Sequence, residues 1–101
     1  MNKLLELKLF EEQVIQSVTN ICIANNALLN AYGLTVKGPD FRVLENEIDN
    51  YRSELEITFW KENVFIDVIE FFICYNGREN VKINEVEIYI QTEIDKILQS
   101  E

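Results

Sequence analysis

The side chains most able to do chemistry in this sequence are carboxylates: eighteen Asp and Glu against nine Lys and Arg, with no histidine. Without histidine the commonest general base and the commonest metal ligand are both missing. Ser-His-Asp and Cys-His arrangements cannot be built from this chain. Gly33, Gly38 and Gly77 stand alone, so none of GxxxxGK[ST], GxGxxG or GxSxG occurs. Cys22 and Cys74 are isolated within apolar runs, too few for a tetrahedral zinc site, and read as buried free thiols. Among the carboxylates, Glu54 and Glu56 lie two apart and share one side of a strand, as would Glu45, Glu47 and Asp49 if that segment were extended. Asp67 and Glu70, three apart, project from opposite faces of a strand and make a poor acid/base pair. No spacing fits an EF-hand loop. A solvated polar face is the plainer account of these groups. The expectation is a chain that binds rather than catalyses, with no cofactor and no metal.

The net charge of −9 and pI near 4.4 narrow the partner. Direct binding to nucleic acid or to an anionic membrane needs Lys and Arg that are not there. A basic protein partner, drawn in by electrostatic steering, fits, and so does acidity that serves solubility alone. The charge is uneven: residues 1–40 carry three basic and four acidic groups, residues 41–101 six and fourteen. Glu6, Glu11 and Glu12 interrupt any apolar signal segment, and no run of about 18 apolar residues suits a membrane span. The length suits one domain, residues 1–101, and the expected compartment is the cytoplasm.

These residues need elements to hold them. Leu7, Phe10, Val14, Val18, Ile21 and Leu28 recur at helical steps and predict a helix over 3–31, capped by Asn2 and closed by a left-handed Gly33. Asn25-Asn26 can split it in two. Gly33–Asp40 reads as a loop. Residues 41–52 fit a helix capped by Asp40, the reading preferred here, or a hairpin strand turning at Asp49-Asn50. Glu54–Trp60 alternates as a strand, Lys61-Glu62-Asn63 turns tightly, and Val64–Tyr75 reads as a central strand. Asn76-Gly77 signals a second hairpin, with a returning strand over Asn80–Ile83. Asn84, with Glu87 as its capping-box partner and Ile83 and Ile88 as a staple, opens a helix over 85–98. Its stripe is Val86, Ile90, Ile94 and Ile97. The fold expected is α+β: an N-terminal helix, a three-stranded antiparallel meander that a further strand would make four-stranded, and a C-terminal helix packed on one sheet face.

If both turns set the registers, Ile57 lies opposite Val68, Phe59 opposite Ile66 and Phe72 opposite Val81. The core face then carries Leu55, Ile57, Phe59, Ile66, Val68, Phe72, Cys74, Val81 and Ile83, with Glu70 as its one charge. The other face carries Glu54, Glu56, Thr58, Trp60, Phe65, Asp67, Ile69, Phe71, Ile73, Tyr75 and Lys82. Aromatics ringed by charge suit a protein-binding surface, unless the first helix, segment 41–52 or a second copy of the chain covers it. Glu54, Glu56 and Asp67 are the expected ion-pairing residues, with Trp60 and Phe65 as anchors.

In size, acidity and the hairpin LEITFW (Leu55–Trp60) with IDVIEFF (Ile66–Phe72), the chain resembles the small acidic immunity proteins of contact-dependent inhibition and related polymorphic toxin systems of bacteria. That resemblance, spanning roughly residues 50–98, implies a non-enzymatic antitoxin that blocks a cognate toxin domain, often a basic nuclease, by occlusion. Two other readings fit the acidity and the aromatic face: a phage or mobile-element inhibitor that mimics nucleic acid, and a homo-oligomeric adaptor domain.

Overall fold

The structure is a computed structural model that describes residues 3–47, 50–74 and 82–101. The elements run α1 (Lys3–Ala31), β1 (Thr35–Glu47), β2 (Asn50–Lys61), β3 (Val64–Cys74) and α2 (Ile83–Gln99). The strands form an antiparallel meander in the order β1-β2-β3, and both helices pack on one face of it. The α+β architecture is the one expected from the sequence, though its strands are not all the expected ones. No helix among the described residues is long and apolar enough to cross a membrane.

α1 is one unbroken helix. Asn25 does not split it, because its side-chain amide has other partners: Nδ2 donates to the Ile21 carbonyl and to Gln91 Oε1 of α2, both at 2.8 Å, and Gln91 Nε2 returns a bond to Asn25 Oδ1 at 3.0 Å. The helix closes at Gly33, φ +80°, where the Leu34 N–H reaches the Leu29 carbonyl and the Gly33 N–H that of Asn30, the paired bonds of a Schellman end. The buried stripe is Leu7, Glu11, Val14, Val18, Cys22 and Leu29. Leu28 is exposed, and Phe10 and Ile21 are only half-buried, because the stripe follows the 3.6-residue period through Glu11 and Cys22.

The segment read as loop and helix, residues 35–47, is strand β1. Pairing with β2 sets Val36 opposite Phe59, Phe41 opposite Leu55 and Val43 opposite Ser53. Local periodicity around Leu44 and Tyr51 fitted a helix, but a ladder across the whole of β2 outweighs it. Ile48 and Asp49 lie outside the described residues. Gly38 and Pro39 sit in a register break between Lys37 and Asp40 rather than in a loop. An edge strand tolerates a proline there, and Gly38 is required: at φ +112°, a Cβ would lie 2.7 Å from the Glu56 carbonyl oxygen.

The β2–β3 turn is the tight one expected, with Glu62 and Asn63 at φ +51° and +67°, so Lys61 pairs with Val64 and Trp60 with Phe65. Ile66 is then an extra residue: Phe59 pairs with Asp67, Ile57 with Ile69, Leu55 with Phe71 and Ser53 with Ile73. This bulge reverses the facing expected for the rest of β3, since a one-residue slip turns every side chain over. Ile69, Phe71 and Ile73 face the helices, whereas Val68, Glu70, Phe72 and Cys74 face away. The hairpin at Asn76-Gly77 lies outside the described residues, and Ile83 is helical rather than part of a returning strand. α2 begins at Ile83, with Lys82 as its N-cap and no side-chain cap bond. Asn84 therefore lies within the first turn instead of capping it, whereas the stripe Val86, Ile90, Ile94 and Ile97 is buried as expected.

One polar tie crosses this core. Tyr51 Oη and Ser53 Oγ, on the helix-facing side of β2, both donate to Oε2 of the buried Glu11 at 2.6 Å. Burial pushes the Tyr51 phenol up to about 12, and the hydrogen bond to Glu11 and the charge of Glu11 add to this. Between the ordinary tyrosine range near pH 10 and about 12, the folded chain keeps a proton that the unfolded chain has lost. The associated stability is complete below that window and falls as pH rises through it. Alkaline ultraviolet titration is expected to show a late tyrosinate component that Tyr51→Phe lacks. In the turn, Glu62 holds a left-handed conformation that Asn adopts more readily. Glu62→Asn is expected to stabilise the fold by about 0.5–1 kcal/mol, a rise of roughly 3–6 °C in thermal melts.

Candidate protein-binding face

The sheet's other face begins with the even-numbered side chains of β2: Glu54, Glu56, Thr58 and Trp60. The registers set Asp40 of β1 opposite Glu56 and Glu56 opposite Glu70 of β3. Three carboxylates therefore stand in one row across the three strands. Glu54, one step along β2, has Arg42 on one side and Phe72 on the other. Like charges directly opposite in a sheet are unfavourable, yet carboxylate oxygens of Glu54, Glu56 and Glu70 all lie within 4.8 Å of one another.

Glu54 is the best satisfied of the group. It is 5% exposed, and its Oε1 accepts from Arg42 Nε at 3.0 Å and meets Nη2 at 2.9 Å, while the Arg42 side chain stays mostly in solvent. Asp40 and Glu70 are exposed and Glu56 half-buried. These three present negative charge outward; among the described residues the other cations of the face are engaged elsewhere, Lys37 over the Trp60 ring and Arg52 with Glu45.

The other end of the face is aromatic. Trp60 and Phe65 meet edge to face, ring centroids 5.6 Å apart. The Trp60 indole N–H donates to Thr58 Oγ1 at 2.9 Å, and the Lys37 ammonium lies 4.6 Å from its ring centroid. These contacts hold the indole in place while Phe65 stays 51% exposed. Phe72, 44% exposed, adds an apolar surface beside the carboxylates.

Four of the five residues expected to contact a partner thus share a face: Glu54, Glu56, Trp60 and Phe65. Asp67 does not join them. Opposite Phe59, it is turned to the helix side, and its Oδ1 accepts the Val68 N–H at 2.8 Å. Ile69, Phe71 and Ile73, also expected on this face, are turned to the helices by the same bulge. Asp40, Arg42, Glu70 and Phe72 belong to the face and were not foreseen there. One signal was present in the sequence: the expected register put Glu70 alone on an apolar core face, and an unpaired buried carboxylate is itself a sign of slipped register.

No known protein family, characterised protein or solved structure matches this chain.

Removing one charge of the row is expected to stabilise the isolated protein. Glu70→Gln should add about 0.2–1 kcal/mol. It would be read as a higher urea midpoint at unchanged m, and the gain should shrink in high salt, which already screens the repulsion.

Proposed function

We propose that this chain is a non-enzymatic binding domain that engages a basic protein surface through the open face of its sheet. The observation that carries the reading is the row Asp40–Glu56–Glu70, a like-charge arrangement that costs the free protein stability and that a cationic partner would relieve. Trp60, Phe65 and Phe72 supply the large, partly ordered apolar contacts that dominate interface energy, and Glu54 with Arg42 supplies a fixed polar floor. The absence of histidine and the placement of the carboxylates on an open sheet support binding over catalysis.

The likeness to small acidic immunity proteins narrows the partner to a toxin domain, with a basic nuclease the best match to this charge. Inhibition would then be occlusion: Glu56 and Glu70 take up Lys or Arg of the toxin's active-site rim, and Trp60 and Phe65 anchor the contact. Steering by the net charge of −9 would speed the encounter and make it salt-dependent.

The test separates binding from folding. Tagged protein is used to capture partners from the source organism, with elution by stepped salt. The Glu56→Gln/Glu70→Gln variant is expected to melt at or above the wild-type temperature yet retain a basic partner at least tenfold less well. Equal retention by the variant would remove this face from the reading. Recovery of an acidic partner, or of the chain alone, would remove the basic-partner reading itself.

A further inference from the structure

A sheet ends in strands whose outward N–H and C=O groups can pair with another chain. Among the described residues the order β1-β2-β3 leaves two such edges. The β1 edge is broken by Pro39, which has no N–H, and by two shifts of register. It also carries the charges of Asp40, Arg42, Glu45 and Glu47. β3 has one such break, the bulge at Ile66, and the charges of Asp67 and Glu70, but Val64–Cys74 contains no Pro, Gly, Lys or Arg, its register runs unbroken from Asp67 to Cys74, and Val64, Phe65, Ile66 and Phe72 are exposed. A strand of this composition is a template for strand addition unless something occupies its edge.

Two contacts do so. Asp67 Oδ1 accepts the N–H of Val68 at 2.8 Å, and the hydroxyl of Tyr89, on α2, donates to the carbonyl of Glu70 at 3.2 Å. Residues two apart in a strand turn their backbone groups to the same side. An N–H aimed at its neighbour's carboxylate is turned away from β2, and Tyr89 reaches Glu70 from α2, which packs beside β3. Val68 and Glu70 therefore present the same outer edge. The tilted contact of Tyr89 with Phe71, ring centroids 6.3 Å apart, fixes the ring that carries the hydroxyl.

We propose that Asp67 and Tyr89 hold the edge of β3 closed against a second copy of this chain, by occupying the Val68 N–H and the Glu70 carbonyl that an added strand would use. A second copy is the occupant that the strand's own charges admit. Antiparallel pairing centred on Ile69 sets Glu70 against Val68 and Asp67 against Phe71, so no carboxylate faces another and the apolar ends meet. The role is separate from the partner-binding face, and it explains why Asp67 stands apart from Glu54 and Glu56.

The test is sedimentation of the full chain over a wide concentration range, in salt high enough to screen the net charge of −9. Asp67→Ala/Tyr89→Phe, which frees both backbone groups and keeps the Tyr89 ring, is expected to self-associate roughly tenfold or more tightly than wild type. In the dilute monomer, Asp67→Ala should also speed amide exchange at Val68. Asp67→Asn keeps an oxygen acceptor and should behave as wild type. The proposal fails if the double variant keeps the wild-type circular dichroism and associates no more tightly than wild type. It fails equally if Asp67→Asn associates as strongly as Asp67→Ala, which would make charge rather than edge occupancy the barrier.

Discussion

β2 is the strand on which the other elements depend. It lies between β1 and β3, and Tyr51, Leu55, Ile57 and Phe59 on one side of it are almost wholly buried under α1 and α2. Burial of these side chains is the main favourable term available to a domain of this size. It also settles the strand's facing, since a slip by one residue would put Glu54, Glu56 and Trp60 under the helices. The polar exceptions on the buried side, Ser53 and the Tyr51 hydroxyl, are satisfied together by Glu11. That shared carboxylate ties α1 to β2 at one place along their length, giving the apolar contacts a defined alignment.

Once β2 has spent its odd-numbered residues on the core, its even-numbered ones must make the other face. There the balance is different. Glu54 is held by Arg42, but Asp40, Glu56 and Glu70 line up across the strands and, among the described residues, form no ion pair. Some carboxylates elsewhere do have a cation, as with Lys61 and Glu101 or Lys96 and Glu93. Like charges left adjacent beside exposed aromatics are unfavourable in the free sheet, and the association with a basic surface proposed above would relieve them.

The two sheet edges are handled by different means. β1 is irregular in its backbone, through Gly38, Pro39 and its register breaks. β3, past its bulge at Ile66, runs in unbroken register, and side chains from its own sequence and from α2 occupy two of its backbone groups. Both follow from the same constraint: a three-stranded sheet has as many edge strands as an extended one, and relatively little interior to hide them.

Much of this was legible in the residues themselves. The extent of α1, its Gly33 terminus, the stripe of α2, the tight turn at Glu62-Asn63 and the alternation of β2 all rest on interactions between residues close in sequence, so local pattern carries them. The absence of catalytic motifs and the acidity are properties of composition alone. What only the tertiary structure decided was non-local. Residues 41–47 became strand because β2 offered them a ladder, against a local pattern that also suited a helix. The bulge at Ile66 turned β3 over, moving Glu70 and Phe72 onto the open face and Asp67, Ile69, Phe71 and Ile73 off it. A single extra residue changes no composition and barely alters the alternation on either side. Its energy lies in which face the helices then bury, and so the membership of the candidate site was settled by packing rather than by sequence pattern.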